Sequence, residues 1–210
     1  MDHCKPSAPK KRRASRKKRI MKEIREWIVS IAVALLVVTL LRSYVFTLIR
    51  VDGTSMETTL MNNERVFVTV YDVKFGDVER GDVVICHYPN RGRDHFVKRV
   101  VGMPGDSVYR ADGVTHVVYS AQTESGTELR DEAIDAGIPN SPYRYSPDYE
   151  PYVLGEDEYF VVGDNLGVSH DSRDWNDPDP SRDVGPITKS MITGRVRQVI
   201  WPLNSIRTVE

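Results

Sequence analysis

Ser55 lies in a glycine-containing turn, Gly53-Thr54-Ser55-Met56, a few residues after a long apolar segment. A serine in such a turn has an exposed hydroxyl and backbone N–H groups nearby, the groups that an acyl-transfer nucleophile and an oxyanion hole require. Most serines in turns serve only the turn. The motif therefore marks a candidate nucleophile whose role depends on a base supplied elsewhere in the chain.

Lys98 lies in a segment, residues 96–101 (FVKRVV), whose alternation predicts a β-strand. Phe96, Lys98 and Val100 then share one face, and Arg99 lies on the other. Because both faces are apolar around a cation, the strand is predicted to be buried on both sides, where a lysine is rare without a partner. Lowering a lysine pKa from about 10.4 to about 8 by desolvation corresponds to roughly 3 kcal/mol, and a neutral amine beside a serine hydroxyl acts as a general base. Taken alone, the strand favours a Lys98 that reaches solvent and an Arg99 in a salt bridge.

A third cluster of polar residues follows a turn at residues 163–165. Asp171 and Arg173 are two residues apart, so they share a face in an extended segment, and their ion pair would fix the loop and orient Ser169. Consecutive Ser169, His170 and Asp171 do not predict a catalytic triad, because adjacent side chains point apart and a triad needs convergent ones. The five His and two Cys residues have no metal-ligand spacing, so we predict no metal site.

The charge distribution divides the 210-residue chain into two parts. Residues 1–26 carry eleven Lys and Arg and three acidic residues, whereas the remainder carries 18 basic and 27 acidic residues. Such a break indicates two environments rather than one nucleic-acid-binding domain. With 40% hydrophobic and 28% charged residues, the chain is neither a polytopic membrane protein nor wholly disordered.

The charge break falls at an apolar run, residues 27–41, that contains no charge, proline or glycine. A helix that spans a bilayer needs about 20 apolar residues, and residues 24–46 suffice if Arg42 extends to the outer headgroups. One alternative is a cleaved signal peptide, although no Ala-x-Ala-like cleavage site follows Leu41. Another is a buried helix of a soluble protein, but the flanking cations argue against it.

The positive-inside rule then predicts the arrangement of the chain at the cell membrane. We expect a basic cytoplasmic tail (1–26), a single-pass transmembrane anchor (27–46) and an extracytoplasmic domain (47–210). Anionic inner-leaflet lipid, rather than nucleic acid, is the partner expected for the tail.

The pattern beyond residue 50 is typical of β-strands. Runs of β-branched and aromatic residues, separated by Gly, Pro, Asn and Asp, occupy residues 66–71, 82–88, 96–101, 107–109, 114–119, 159–162 and 194–201. We therefore predict a mainly β fold, an antiparallel all-β domain after an N-terminal transmembrane helix. Residues 120–158 are predicted to form an irregular excursion with one helical turn near 129–136.

Several motifs, in this order, resemble those of bacterial type I signal peptidases in the single-anchor form of Gram-positive members. After the anchor they are residues 55–60 (SMETTL), 80–84 (RGDVV), 97–106 (VKRVVGMPGD), 159–165 (YFVVGDN) with 169–173 (SHDSR), and 194–203 (GRVRQVIWPL).

The resemblance implies a serine endopeptidase with an anchored all-β catalytic domain and no cofactor. It would cleave N-terminal signal peptides from exported preproteins after small residues, at the outer membrane face and beside the export machinery. By motif position, Ser55 would be the nucleophile and Lys98 the general base. Ser169 would orient the Lys98 amine, and Asp171 and Arg173 would form a supporting ion pair.

The turn around the nucleophile matches the family with one substitution that matters for charge stabilisation. Gly53 stands where some relatives have a serine, so only the Gly53 backbone would join the nucleophile's N–H in the oxyanion hole, and Met56 completes the motif. Thr58 replaces a usual proline, which predicts a looser turn. Leu166 replaces the basic residue that usually follows Asn165.

Three other functions fit parts of the sequence. A self-cleaving Ser/Lys peptidase like the SOS-repressor family shares the catalytic core, but the anchor and the lack of a helix-turn-helix argue against it. A peptidase specialised for pilin or conjugation substrates has the same features. A catalytically silent, membrane-anchored scaffold would not need the Ser55 and Lys98 pair.

Overall fold

The computed structural model describes residues 10–92, 94–124, 126–138 and 147–209. The start of the predicted basic tail, residues 1–9, and residues 139–146 of the predicted excursion lie outside the described residues. The chain divides into two compact units, residues 1–43 and 44–210.

The first unit is helical. Its described residues lie in helix α1 (Lys10–Tyr44). Among the described residues, only the segment Arg19–Tyr44 of this helix is long and apolar enough to cross a membrane, and it fits a single-pass anchor. The helix ends two residues before the predicted end of the span, because Phe46 begins strand β1 (Phe46–Arg50). The division of the chain into tail, anchor and external domain stays a prediction.

The second unit is built of antiparallel strands, which confirms the predicted fold class. After β1 come β2 (Arg65–Thr69), α2 (Tyr71–Phe75), β3 (Val83–Cys86), β4 (Phe96–Gly102), β5 (Ser107–Ala111), β6 (Val114–Thr123), β7 (Gly126–Ala133), β8 (Tyr149–Val153), β9 (Glu158–Val162), β10 (Ile187–Thr188), β11 (Ile192–Trp201) and β12 (Arg207–Thr208). One sheet has the order β1-β2-β11-β3-β4-β9-β10, with β12 beside β11, and the other has the order β7-β6-β5-β8.

The alternation of side chains along the strands places the core. In β2, Val66 and Val68 are buried while their neighbours are not. Strand β3 is buried along its whole length because core packs on both of its faces: Val84 and Cys86 belong to one hydrophobic cluster, and Val83 and Ile85 belong to another. In β4, Lys98, Val100 and Gly102 are buried, so the lysine lies on the core side of the sheet.

The predicted irregular excursion contains regular structure, and the helical turn predicted near 129–136 is wrong. Strand β7 covers residues 126–133 and pairs with β6 from His116↔Ala133 to Thr123↔Gly126, while β8 pairs with β5. Every residue of β7 is exposed. A strand without a buried face has no apolar alternation, so the pattern that identified the other strands is missing here.

A buried charge network links the second sheet to the loop after β9. Asp135 follows β7 and is 5% exposed, and its Oδ2 lies 3.5 Å from Arg110 Nη1 and 3.4 Å from Arg173 Nη1. Its Oδ1 accepts a hydrogen bond of 2.7 Å from the Thr115 N–H. Arg110 and Arg173 are themselves buried. The carboxylate therefore interacts with two guanidinium groups that have little access to water.

We expect Asp135→Ala to lower the free energy of unfolding by about 3–5 kcal/mol, because it removes a carboxylate from two buried cations. Asp131→Ala is the matched control. Asp131 contacts His116, but its side chain is 50% exposed, so solvent screening limits the loss to about 1 kcal/mol or less. Urea unfolding of the detergent-solubilised chain measures both, and equal losses would contradict the role of the network.

Candidate active site

Ser55 and Lys98 lie in contact, although 43 residues separate them in sequence. Ser55 belongs to the turns between β1 and β2, and Lys98 is in β4. Lys98 Nζ lies 2.8 Å from Ser55 Oγ, within hydrogen-bond distance. An amine in this position can accept the hydroxyl proton directly, which is the geometric requirement for a general base.

Burial favours the neutral form of the Lys98 amine. Lys98 is 2% exposed, so the solvent-reaching Lys98 that the strand alone favours is wrong. Desolvation lowers the pKa of Lys98 from its ordinary value of 10.5, and this effect outweighs the charge of Asp171, which raises it. Burial also raises the pKa of Cys86 to about 12, so this thiol stays protonated and is a poor nucleophile.

Arg99, on the opposite face of β4, fixes the neighbouring loop. Its Nε and Nη2 donate to the two carboxylate oxygens of Asp164 at 2.9 and 2.8 Å, and its Nη1 donates to the Gly81 carbonyl at 2.7 Å. The salt bridge that the sequence predicts for Arg99 is therefore present. Because side chains alternate along a strand, Lys98 contacts Ser55 on one face of β4 and Arg99 contacts Asp164 on the other.

The loop after β9 holds the turn that contains Ser55, and the residues just after it, by three hydrogen bonds. The Asn165 N–H donates to the Ser55 carbonyl at 3.0 Å, and Asn165 Nδ2 donates to the Thr54 carbonyl at 3.0 Å. Thr59 Oγ1 donates to Asp164. The sequence predicted no role for Thr59, Asp164 or Asn165. The available signal was the turn Gly163-Asp164-Asn165 directly after a buried strand, a place where polar side chains often serve a site.

Gly163 allows Ser169 and the turn that contains Ser55 to approach each other. A Cβ atom at this position would overlap Ser169 Oγ and lie 2.5 Å from the Ser55 carbonyl oxygen. Ser169 is 3% exposed, and its N–H donates to the Asn165 carbonyl at 3.0 Å. The structure thus brings Ser169 to the site, while its action on the Lys98 amine stays a prediction.

Asp171 and Arg173 form a bidentate ion pair, and both are 0% exposed. Arg173 Nε and Nη2 donate to the carboxylate at 2.8 Å each. Asp171 Oδ2 also accepts the Gly163 N–H at 3.0 Å, which ties the pair to the site. The segment is a turn rather than the extended chain on which the pairing was predicted, because the Asp174 N–H donates to the Asp171 carbonyl at 2.9 Å.

A cleft beside Ser55 lies between the end of β1 and the start of β4. It encloses about 150 Å³, and its lining includes Ile49, Gly53, Ser55, Met56, Ile85, His95 and Val97. Met56 is 2% exposed and joins the core below the cleft. The Gly53 N–H, the predicted second oxyanion donor, donates to Asn62 Oδ1 at 3.3 Å.

The two departures from the family pattern have structural consequences. Thr58 has a φ of 95°, a value that proline, with φ fixed near −65°, does not adopt. The turn after Ser55 therefore has a backbone conformation that is incompatible with proline. Leu166 packs against the buried cluster of Val108, Phe160 and Val162, where a basic side chain would lose hydration.

We expect Gly163→Ala to reduce cleavage of a preprotein, the activity that the resemblance implies, by about 100-fold, because the added methyl displaces Ser169 or Ser55. Gly167→Ala in the same loop is the matched control, since a Cβ there meets no atom within 4 Å. Initial cleavage rates, with melting temperatures to verify folding, compare the two. A Gly163→Ala rate equal to that of Gly167→Ala would contradict the close packing.

Comparisons with known proteins show what this chain is similar to. The family model described as "Signal peptidase, peptidase S26" matches residues 24–201. Signal peptidase I P of Bacillus subtilis subsp. natto is 33% identical over 192 residues, covering 91% of this chain and 97% of that one. Signal peptidase IB of Staphylococcus aureus strain COL is 34% identical over 190 residues, covering 89% and 94%.

A crystal structure of a signal peptidase I from Enterococcus faecalis V583 is 22% identical and has a TM-score of 0.35, covering 57% of this chain and 96% of that one. Signal peptidase I of Bacillus amyloliquefaciens is 31% identical over 185 residues, covering 87% of this chain and 90% of the relative. The family model spans well over half of the chain, and the sequence relatives exceed 30% identity over most of both chains. The chain therefore belongs to the signal peptidase family, peptidase S26.

Proposed function

We propose that this chain is a membrane-anchored serine endopeptidase that cleaves N-terminal signal peptides from exported preproteins after small residues. The observation that carries the proposal is the 2.8 Å contact between the buried Lys98 amine and the Ser55 hydroxyl. Membership of the signal peptidase family supports the substrate class.

The reaction divides into two proton-coupled steps. Neutral Lys98 accepts the Ser55 proton while Ser55 Oγ attacks the scissile carbonyl carbon, and the resulting ammonium then protonates the leaving amine. This leaves an acyl-enzyme ester on Ser55. Lys98, neutral again, accepts a proton from the water that attacks the ester. The Lys98 ammonium then returns this proton to the departing Ser55 Oγ, which releases the peptide acid and regenerates Ser55 and the neutral amine.

The surrounding residues would orient these groups and stabilise charge. Ser169 would hold the Lys98 amine toward Ser55, and the Asp171–Arg173 pair would keep the Ser169 loop in place. The Ser55 N–H and the Gly53 N–H would bind the oxyanion. The second donor becomes available when Gly53 exchanges its 3.3 Å bond to Asn62 for the substrate oxygen.

The cleft supports a preference for small side chains near the scissile bond. Its volume of about 150 Å³ is below the range of about 300–1,000 Å³ that holds drug-sized ligands. Strand β1 is the end strand of its sheet. An extended peptide can pair with exposed strand backbone at this end of the cleft, so that its alternate side chains enter the pocket.

We expect Ser55→Ala and Lys98→Ala each to abolish cleavage of a preprotein substrate, because they remove the nucleophile and the base. His116→Ala and His170→Ala should retain most of the activity. A gel-based cleavage assay measures all four, with melting temperature as the folding control. If His170→Ala were folded and inactive, a histidine base would replace Lys98; cleavage by Ser55→Ala would remove the serine mechanism altogether.

The lowered pKa of Lys98 predicts a characteristic dependence on pH. Cleavage should increase with pH as the ammonium loses its proton, with a midpoint below the ordinary lysine value of 10.5. The free energy of unfolding should also increase with pH. The unfolded chain holds the proton more tightly than the folded one, so the folded state loses stability as pH falls from 10.5 towards the folded-state pKa.

Lys98→Met tests this linkage. We expect an inactive protein that melts at a higher temperature than wild type, with a difference that grows as pH falls through that window, because methionine has no proton to bind. Differential scanning calorimetry across pH measures the difference. A variant that melts below wild type at every pH would contradict the cost assigned to the buried amine.

We further propose that α1 places the N-terminus in the cytoplasm and the strands outside, with anionic lipid at the basic tail and the export machinery nearby. The supports are the apolar helix Arg19–Tyr44 and the eleven basic residues in positions 1–26.

Protease added to intact cells is expected to digest the part after residue 50 and to spare an epitope tag at the N-terminus. Immunoblots against tags at both ends measure this, with a cytoplasmic protein as the control for lysis. Selective loss of the N-terminal tag would reverse the proposed orientation.

A further inference from the structure

Two histidines meet at the rim of the cleft. His87 directly follows β3 and His95 directly precedes β4, and the Cys86↔Phe96 pairing of these strands brings them side by side. Their ring centroids lie 4.3 Å apart, with the ring planes inclined at 46°. Their spacing in sequence predicted no metal site, but the hairpin places the two imidazoles together.

His87 is held in a defined tautomer. Its Nδ1 lies 2.8 Å from the Asp94 carbonyl oxygen. Because a carbonyl can only accept, Nδ1 of the neutral ring carries the proton and Nε2 carries the lone pair. Histidines that bind metals are oriented in this way, with the second ring nitrogen donating to a carbonyl or carboxylate.

We propose that His87 and His95 together bind a divalent transition-metal ion of the Zn²⁺ type at the cleft rim, and that the bound ion inhibits cleavage. Imidazole is a ligand for Zn²⁺, Cu²⁺ and Ni²⁺, whereas Mg²⁺ and Ca²⁺ prefer oxygen ligands. In the described part of the chain, no group of three or more His, Cys, Asp and Glu side chains is arranged to hold a metal. Water therefore completes the coordination, and binding is weaker than at a four-ligand structural site.

Inhibition follows from the position of His95. This residue lines the same cavity as Ser55, Gly53 and Val97. A dication with its bound waters would occupy the space through which the extended substrate enters. Metal binding is independent of the proposed peptidase function, whereas the inhibition rests on it.

Direct binding tests the site. The full chain in detergent is titrated with ZnCl₂ by calorimetry near neutral pH, together with His95→Ala and His87→Asn. The asparagine amide can replace the Nδ1–H donor to Asp94 but supplies no Nε2. His116→Ala is the matched control, because His116 also contacts a neighbouring ring, that of Tyr109, but lies in the other sheet.

We expect both rim variants to bind Zn²⁺ about tenfold more weakly or worse, as for other losses at metal sites, and His116→Ala to bind like wild type. Any ion bound at His3 or Cys4 in the tail is common to all four proteins, so differences between them report on the rim. Equal Zn²⁺ affinity in wild type and both rim variants would overturn the proposed site.

Cleavage assays test the inhibition. Zn²⁺ should inhibit wild type, and EDTA should restore activity. The half-inhibiting concentration, relative to each protein's metal-free rate, should increase about tenfold or more in both rim variants. Equal inhibition of wild type and variants would place the ion elsewhere and overturn the proposal. A wild type that cleaves nothing in EDTA would instead contradict the proposed function, while the calorimetry would still decide the site.

Discussion

The Lys98 side chain is buried on the core side of a β-sheet. The residue is 2% exposed, and its Nζ lies 2.8 Å from Ser55 Oγ. Water stabilises an ammonium strongly, so removing that water favours the neutral amine. A neutral amine is a proton acceptor, which is the property that the proposed role of Lys98 as general base requires. The same desolvation destabilises the folded state at neutral pH, so the rest of the fold must supply stability around this residue.

The support for this pair comes from both faces of strand β4. Lys98 lies inward, while Arg99 faces outward and binds Asp164 in a bidentate pair. Asn165 follows Asp164 in the sequence and donates hydrogen bonds to the carbonyls of Thr54 and Ser55. One strand therefore places Lys98 beside Ser55 and also anchors the loop that holds the Ser55 turn.

The second sheet is connected to the site through charge. Asp171 binds the Gly163 N–H and the Arg173 guanidinium, and Arg173 reaches Asp135 beyond the end of β7. A buried guanidinium needs such partners because isolated charges are costly in a low-dielectric interior. Residues that lie far from Ser55 in sequence thus help to define the loop that contains Ser169.

The sequence by itself determined the features that depend on local pattern. The charge break and the apolar run predicted the long helix. The β-branched runs separated by turn residues predicted β2, β3, β4, β9 and β11 of the first sheet and β5 and β6 of the second. The turn and the strand made Ser55 and Lys98 candidates, and the order of the motifs indicated both the family and the roles predicted for these two residues. These signals are local because a strand's alternation and a helix's composition are set by which residues must avoid water.

Tertiary structure alone decided which of these residues meet. The register of β3, β4 and β9 sets the contact of Lys98 with Ser55, of Arg99 with Asp164, and of His87 with His95. A shift of one residue in a strand would turn every side chain to the opposite face, and no local pattern specifies that pairing fully. Strand β7 was missed for the related reason that it buries no face, so backbone pairing with β6 was the only information that defined it.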